Sequence, residues 1–315
     1  MEDTLATKYR PKTWEDVMEQ STVKTILENQ INTNTIKHTY LFCGGAGTGK
    51  TTIARIFANK INNNQGAPIE LDCASNNGVE QIRSILDDCK FSPIAGKYKV
   101  YILDECHQIT TAGFNAMLKV LEEPPETSIF ILCTTNPEKI PATVLSRLQR
   151  FNFQKISFDG IVDRLKYIVE QEKNIVVSDL ALSHIALLAN GGMRDAITLL
   201  DKCLSYRKNL TLDDVMKVLN TADTNSMQKI LESVLKQDTK AIVEEIERLH
   251  NMGKDLKLYI KDLIRYVLDY CIENIDKDIV GERYFLEFLL DLENDLKYST
   301  DVKTLVLSKF ICYYN

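Results

Sequence analysis

A glycine-rich turn between a short apolar run and a helical segment carries the clearest chemical pattern in the sequence. Gly44, Gly49, Lys50 and Thr51 fit the phosphate-loop spacing, in which two glycines are followed by Lys and Ser or Thr. Glycines let backbone N–H groups surround an anion, and the start of the next helix adds partial positive charge. We therefore expect a nucleoside triphosphate to contact Gly44, Gly45, Ala46, Gly47, Thr48, Gly49, Lys50, Thr51 and Thr52.

Four side chains of this pattern and of a later acidic pair have distinct expected roles. Lys50 would reach the β- and γ-phosphates, and the Thr51 hydroxyl would be a Mg²⁺ ligand. Asp104 and Glu105 directly follow an apolar run that predicts a strand. A carboxylate there can hold Mg²⁺ through water, and the next carboxylate can polarise an attacking water as general base. We therefore assign the metal to Thr51 and Asp104 and the base to Glu105; the plainer alternative is an acidic pair that only ends a strand.

Alternating strands and helices must position these residues. Apolar runs predict strands at 40–43, 69–73, 99–104 and 128–134, separated by helical patterns that include 51–61 and 111–122. This alternation is typical of βαβ units, and it predicts a parallel sheet with helices on both faces. Ligands of such sheets bind at the carboxyl ends of the strands, where the glycine-rich turn, the acidic pair and Thr135 all fall.

Composition narrows the class of protein. The length of 315 residues predicts two or three domains, and the 44% of hydrophobic residues is enough for each to form a hydrophobic core. The net charge of −6 gives no overall basic footprint, so contact with nucleic acid would need a local patch or an assembly. The eight cysteines form no CxxC pair, which favours a reducing cytoplasm. No secretory signal or apolar run of about 18 residues is present, so we expect a cytoplasmic protein without a membrane partner.

The second half of the sequence reads as helices. Patterns at 159–172, 178–189, 193–206 and 212–219 predict a small helical lid, with Ser178 and Thr211 as N-caps. Apolar stripes follow at 260–275 and 285–296. They fit either the core of a monomer or a surface that packs against neighbouring subunits, and the sequence leaves both open. The expected domains are 1–157, 158–220 and 221–315.

The order of the motifs resembles the clamp-loader ATPases of the AAA+ class. The motifs are GGAGTGKTT, ASNNGVEQIR, GKYKVYILDECH, FNAMLKVLEEPPETSIFILCTTNPEKIPATVLSRLQRF and GGMRDAITLLDK. They are most similar to the bacterial DNA polymerase III gamma/tau family, with the replication factor C small subunits as cousins. The resemblance is specific over residues 5–220 and looser over 220–315. It implies an α/β AAA+ P-loop ATPase domain, a helical lid domain and an all-α C-terminal collar for oligomerisation.

The resemblance also implies roles for single residues. Thr135 matches the sensor 1 position near the γ-phosphate, and Arg194 matches sensor 2 on the lid. Arg147 matches the arginine finger; we expect it at the far end of the first domain, where it would act on the ATP of a neighbouring subunit. The segment that lies against the adenine matches Tyr9, Arg10 and Pro11.

The function implied is that of an ATP-dependent clamp loader. Such a subunit opens a sliding clamp and loads it on primed DNA, and ATP hydrolysis then releases the clamp. The implied cofactors are ATP and Mg²⁺, and the implied partners are the clamp, primer–template DNA and other loader subunits in a pentamer. A polymerase III label would fit although no polymerase active site is present. Two alternatives stay open: an AAA+ DNA motor such as a branch-migration helicase, because 104–107 resembles a helicase box, and a non-hydrolysing scaffold subunit.

Three departures from the family pattern bear on these expectations. The four-cysteine zinc module is absent and 62–68 stands in its place, so we predict no zinc. Leu148 replaces the usual cysteine after the finger arginine and keeps its apolar character. The chain ends near the collar, without the long tau extension, and its composition would suit a bacteriophage or a divergent bacterial version.

Contacts with DNA and with the clamp are also expected in the first domain. Phosphate contacts fix position without reading sequence, which suits a loader that acts at any primer–template junction. The alternative for the basic residues is a solvated face. Phe91 and Ile94 are candidates for touching the clamp. The DNA candidates are Asn76, Asn77, Gly78, Arg83, Thr110, Thr111 and Lys119.

Overall fold

The computed structural model describes residues 4–219 and 224–314 of the chain. The chain divides into two compact units, Met1–Leu210 and Thr211–Asn315. The predicted boundary between 157 and 158 falls inside the first unit and stays a prediction. The predicted boundary between 220 and 221 lies outside the described residues.

A five-stranded parallel sheet forms the centre of the first unit. Its strands lie in the order β2-β3-β4-β1-β5, and each adjacent pair is parallel. Four strands match the predicted ones within one residue at each end. The fifth was not predicted, because Phe151 is its only apolar residue. The strands are β1 (Thr39–Cys43), β2 (Ile69–Asp72), β3 (Lys99–Asp104), β4 (Ser128–Thr134) and β5 (Gln149–Asn152).

Helices cover both faces of this sheet, as predicted. Successive side chains of a strand point to opposite faces, so each strand supplies two cores. On β1, Tyr40 and Phe42 belong to one buried cluster and Leu41 and Cys43 to another. The first cluster contains α2 (Ser21–Asn32) and α3 (Lys50–Ile61), and the second contains α4 (Val79–Asp88), α5 (Thr111–Glu122) and α6 (Ala142–Leu145).

A helical lid completes the first unit. Ser157 and Ser178 begin two of its helices, since their hydroxyls accept hydrogen bonds from Gly160 N (3.1 Å) and Ala181 N (3.3 Å). The predicted N-cap at Ser178 is thereby confirmed. A short helix near the amino end of the chain packs against the last lid helix. The elements are α1 (Leu5–Lys8), α7 (Phe158–Gln171), β6 (Val176–Val177), α8 (Asp179–Ala189), α9 (Met193–Tyr206) and β7 (Asn209–Leu210).

The second unit is helical throughout its described residues. Thr211 Oγ1 accepts from Asp214 N at 3.3 Å and caps the first helix, as predicted. The predicted stripe at 260–275 divides: Leu263 and Val267 are buried in the core, whereas Ile272 and Ile275 are 59% and 71% exposed. The stripe therefore supplies both a core face and an exposed apolar face. The helices are α10 (Leu212–Leu219), α11 (Thr224–Leu235), α12 (Thr239–Asn251), α13 (Leu256–Glu273), α14 (Val280–Leu296) and α15 (Val302–Ile311).

Helix length and polarity also bear on membrane insertion. Within residues 4–219 and 224–314, no helix combines the length and the apolar character needed to span a bilayer.

Candidate active site

A cavity of about 530 Å³ lies in the first unit, between the carboxyl end of the sheet and the lid. Residues 46–52 of the glycine-rich turn and the start of the next helix line it, as do Asp104 and Glu105. The volume is in the range of small-ligand sites. Of the predicted site residues, the cavity is lined by Tyr9, Arg10, Pro11, Ala46, Gly47, Thr48, Gly49, Lys50, Thr51, Thr52, Asp104, Glu105 and Arg194.

Close backbone contacts explain two glycines of the turn. A Cβ on Gly44 would lie 2.5 Å from the Phe153 carbonyl oxygen, and a Cβ on Gly47 would lie 2.9 Å from Cα of Gly192. Gly47 also has a φ of +68°, which disfavours other residues. The turn is therefore held between the chain that leaves β5 and the lid. After the turn, α3 begins at Lys50, one residue earlier than predicted.

Lys50 lies over the turn. Its Nζ donates to the carbonyl oxygens of Gly44 (2.8 Å) and Gly45 (2.7 Å). Burial lowers the pKa of this ammonium, while the nearby carboxylates of Glu105 and Asp104 act in the opposite direction. The buried cation is thus placed beside the two carboxylates at the end of β3.

Thr51 and Asp104 bring two oxygen ligands together. Thr51 Oγ1 donates to Asp104 Oδ2 at 2.9 Å. Mg²⁺ prefers such hard oxygens and usually binds one or two carboxylates together with waters and substrate phosphates, so the pair fits this ion. Within residues 4–219 and 224–314, no three His, Cys, Asp or Glu side chains form a metal-binding cluster. The absence of zinc stays a prediction.

The carboxylate of Glu105 contacts two neighbouring side chains. Thr135 Oγ1 donates to Glu105 Oε2 at 3.2 Å, and His107 Nδ1 lies 3.2 Å from the same oxygen. The hydrogen bond of His107 Nδ1 is with Thr134 Oγ1, at 3.1 Å. Glu105 has a φ of +48°, a strained conformation for a residue with a side chain, which is typical of functional sites. Cys106, between Glu105 and His107 in the sequence, is buried, and burial raises the pKa of its thiol well above the ordinary value.

Arginines gather positive charge at the cavity. Arg10 is partly buried, and burial lowers the pKa of its guanidinium, as do the charges of Arg55 and Arg194. Asp104 is among the anions that act against this shift. Arg10, Asp104 and Arg194 all line the cavity. Arg55, on α3, is paired with Glu70 (Nη2 to Oε2, 2.5 Å) and is not among the residues that line the cavity.

The amino segment that contains Tyr9 is tied to the lid. Tyr9 Oη donates to Glu172 Oε1 at 2.7 Å, and Arg164 donates to the Tyr9 carbonyl oxygen at 3.0 Å. Arg164 also lines the cavity, and sequence reasoning missed it. The only sequence signal for it is its place on the polar side of an amphipathic helix, which does not point to a site.

Arg147 lies away from the cavity. It precedes β5, whose Gln149 is paired with Tyr40 at the amino end of β1, and its carbonyl oxygen accepts from Thr39 Oγ1 at 2.8 Å. The glycine-rich turn follows the other end of β1. Since a strand rises about 3.3 Å per residue, the five residues of β1 separate the two positions by about 16 Å.

The DNA candidates are partly brought together. The backbone N–H of Thr110 donates to the Asn77 carbonyl oxygen at 3.3 Å, so the amino ends of α4 and α5 lie side by side. The side chains of Arg83 and Lys119, further along these two helices, are exposed. Phe91 is 68% exposed, and Ile94 is fully exposed.

Comparisons with known proteins agree on one family. Residues 72–157 match the family model described as DNA polymerase III, delta subunit, and residues 160–209 match that of the DNA polymerase III clamp loader subunit, ATPase lid domain. DNA polymerase III subunit gamma of Buchnera aphidicola subsp. Acyrthosiphon pisum is 33% identical over 306 residues, which are 90% of this chain and 84% of that protein. DNA polymerase III subunit tau of Bacillus subtilis is 40% identical over 284 residues, which are 83% of this chain.

The relatives differ from this chain in length, and a solved structure shares its fold. The chain spans only half the length of the Bacillus subtilis protein and 40% of the tau/gamma subunit of Haemophilus influenzae. Among solved structures, the Thermotoga maritima RuvB Holliday junction branch migration motor matches 81% of this chain and 91% of its own, with a TM-score of 0.55. Its sequence identity is 18%, so it shows a shared fold alone.

Proposed function

Since the chain belongs to the DNA polymerase III gamma/tau family, we propose that it is an ATP-dependent clamp-loader subunit. It opens a sliding clamp and loads it on primed DNA, and ATP hydrolysis releases the clamp. The observation that carries the proposal is the arrangement around the cavity: the Thr51–Asp104 pair and the Glu105–Thr135 pair lie beside a glycine-rich turn. These are the parts that phosphoryl transfer to water requires.

The chain's own residues supply most of the chemistry. Backbone N–H groups of the turn and the Lys50 ammonium hold the phosphates of ATP. Thr51 and Asp104 would hold Mg²⁺, which when bound neutralises negative charge on the phosphates. Glu105 accepts a proton from the attacking water, while the Thr135 hydroxyl fixes the orientation of its carboxylate. Arg194 extends from the lid toward the same phosphates.

Arg147 acts on the ATP of a neighbouring subunit. Its distance from the turn in its own chain supports this role. Guanidinium is always charged, and its planar fork matches phosphate oxygens. An arginine finger supplied by a neighbouring subunit raises the rate of hydrolysis about 10³–10⁵-fold. Hydrolysis of ATP therefore depends on assembly of the subunits.

The remaining partners complete the proposal. The subunit joins other loader subunits in a pentamer through its helical second unit, whose exposed apolar residues support such packing. Primer–template DNA contacts the amino ends of α4 and α5 through its backbone, without sequence specificity. The clamp contacts Phe91 and Ile94. The protein works at the nucleoid in a bacterial cytoplasm; a bacteriophage origin stays a prediction.

One experiment separates the candidate functions. The ATPase rate is measured with the cognate loader subunits, with and without primed DNA and clamp. A loader gives low activity alone and strong stimulation by DNA and clamp together. A rate that neither DNA nor clamp changes would favour a scaffold subunit, and unwinding of a duplex by the pure protein would favour a motor.

A further inference from the structure

A buried glutamine outside the glycine-rich turn connects that turn to the chain that enters the lid. Gln20 is only 8% exposed. Its Nε2 donates to the carbonyl oxygen of Gln154 (2.7 Å) and more weakly to that of Thr48 (3.4 Å). Its Oε1 accepts from Gln154 N at 3.2 Å. One side-chain amide therefore joins the turn to the segment that follows β5.

These bonds belong to a closed circuit. Ile156 N donates to the Gly191 carbonyl oxygen at 3.1 Å, and Met193 N donates to the Gly47 carbonyl oxygen at 3.1 Å. The connections run from the turn through Gln20 to residues 154–156, then to Gly191, and through Met193 back to the turn. Because Arg194 directly follows Met193, this circuit fixes the start of the helix that carries it.

The backbone conformation at Glu19 and Gln20 places the Gln20 side chain where it can form these hydrogen bonds. Gln20 occupies the N-cap position of α2, yet its side chain makes no capping bond. Glu19 and Gln20 have φ values of +53° and +51°, and two consecutive left-handed residues with side chains cost conformational energy. Glu19 Oε1 in turn accepts from Ser157 N (3.0 Å) and Ser157 Oγ (2.5 Å). The side chains of Glu19 and Gln20 therefore both form hydrogen bonds with the segment between β5 and the lid.

We propose that Gln20 is a positioning residue that sets Arg194 over the phosphates of bound ATP. The inference rests on the proposed function, since it requires ATP to bind in the cavity. Without the Gln20 amide, residues 154–156 lose its hydrogen bonds. The start of α9 is then held to the turn by the Met193–Gly47 bond alone within this circuit, and Arg194 is held less firmly against the phosphates. The contribution of Arg194 to ATP binding therefore depends on Gln20.

A double-mutant cycle on the full chain tests this dependence. The Kd for ATP in the presence of Mg²⁺ is measured for the unaltered chain, Gln20→Ala, Arg194→Ala and the double variant. If Arg194 depends on Gln20, the change in ATP-binding free energy of the double variant differs strongly from the sum of the two single changes. We expect each single change to weaken ATP binding about tenfold, and Arg194→Ala to cost less than about threefold once Gln20 is alanine.

Gln30 provides a matched control. It is also 8% exposed and lies on α2, and its side chain bonds to Gln149 Oε1 (2.9 Å) and Tyr40 Oη (2.8 Å), outside the circuit. Gln30→Ala should lower thermal stability while Arg194→Ala keeps its full effect on the Kd. Gln20→Met, which keeps the size but removes the bonds, replaces Gln20→Ala in the cycle should the alanine variant not fold.

The outcomes are distinct. Additive losses, an Arg194→Ala variant that binds ATP normally, or an equal loss of coupling in Gln30→Ala would each overturn the role of Gln20 while ATP binding stands. An unaltered folded chain that does not bind ATP would overturn the proposed function, and the role of Gln20 with it.

Discussion

The hydroxyl of Thr135, which directly follows β4, donates a hydrogen bond of 3.2 Å to Oε2 of Glu105, which directly follows the neighbouring strand β3. Two adjacent parallel strands thus bring the proposed base and the hydroxyl that bonds to it to one edge of the sheet. His107 Nδ1, which lies 3.2 Å from the same oxygen, belongs to the short helical turn after Glu105. Loss of the Glu105 carboxylate and loss of the hydrogen bond from Thr135 can be tested separately.

Loss of the base is tested by Glu105→Gln. The amide keeps the size of the side chain but cannot accept a proton, so ATP should bind normally while kcat falls about 10²–10⁴-fold. Single-turnover hydrolysis and the Kd for ATP measure the two effects. The exposed Glu126→Gln serves as control, and hydrolysis at the normal rate in Glu105→Gln would exclude Glu105 as the base.

Misorientation of the base is tested by Thr135→Val. A hydrogen bond to a charged group is worth about 1.5–3 kcal/mol, so kcat should fall roughly tenfold or more with little change in the Kd for ATP. Thr127→Val, a half-buried threonine at the other end of the same strand, is the matched control. Equal effects of the two substitutions on kcat would show that Thr135 has no special role.

Sequence reasoning found the parts of this site that local patterns encode. The strand, glycine turn and helix around Lys50 and the acidic pair after β3 each occupy one short stretch, so their spacing alone carries the prediction. Gln20 and Gln154 are 134 residues apart, and nothing in the local sequence of either predicts their hydrogen bond. β5 was missed for a related reason: its polar residues form a strand because β1 offers a free edge, which only the assembled sheet provides.

The cysteines give a prediction about reactivity and pH. Seven of the eight are buried, and Cys312 is exposed. A thiol reagent should therefore label one cysteine per native chain and eight after denaturation; rapid labelling of more than one in the native chain would contradict the described packing.

Burial raises the pKa of Cys106 and Cys133 well above the ordinary value. A raised folded-state pKa gives stability that is fully present below the unfolded pKa of about 8.5 and is lost as pH rises above it. The free energy of unfolding should therefore fall above about pH 8.5. Denaturant unfolding between pH 7 and 10 measures this. Cys106→Ala should reduce the slope, and an unchanged slope would exclude Cys106 as its source.

The guanidinium of Arg147 forms an ion pair with Glu122 on α5, with Nε 2.9 Å from Oε1, and it also contacts the Thr143 carbonyl oxygen. Exposed ion pairs are worth about 0–1 kcal/mol, so a neighbour's phosphate can replace this partner at little cost. If Arg147 acts in trans, mixing Arg147→Ala chains with Lys50→Ala chains should restore part of the ATPase activity. Activity returns because, at some interfaces, the intact glycine turn of an Arg147→Ala chain faces the intact Arg147 of a Lys50→Ala chain.

The mixing experiment has an internal control in Arg150, an exposed arginine three residues further along the chain. Arg150→Ala chains should be active alone, and mixing them with Lys50→Ala chains should give only the activity expected from dilution. Co-assembly is verified by size-exclusion chromatography of differently labelled chains. Mixtures of Arg147→Ala and Lys50→Ala that co-assemble yet stay inactive would count against a finger in trans, because every such mixture contains interfaces with both groups intact.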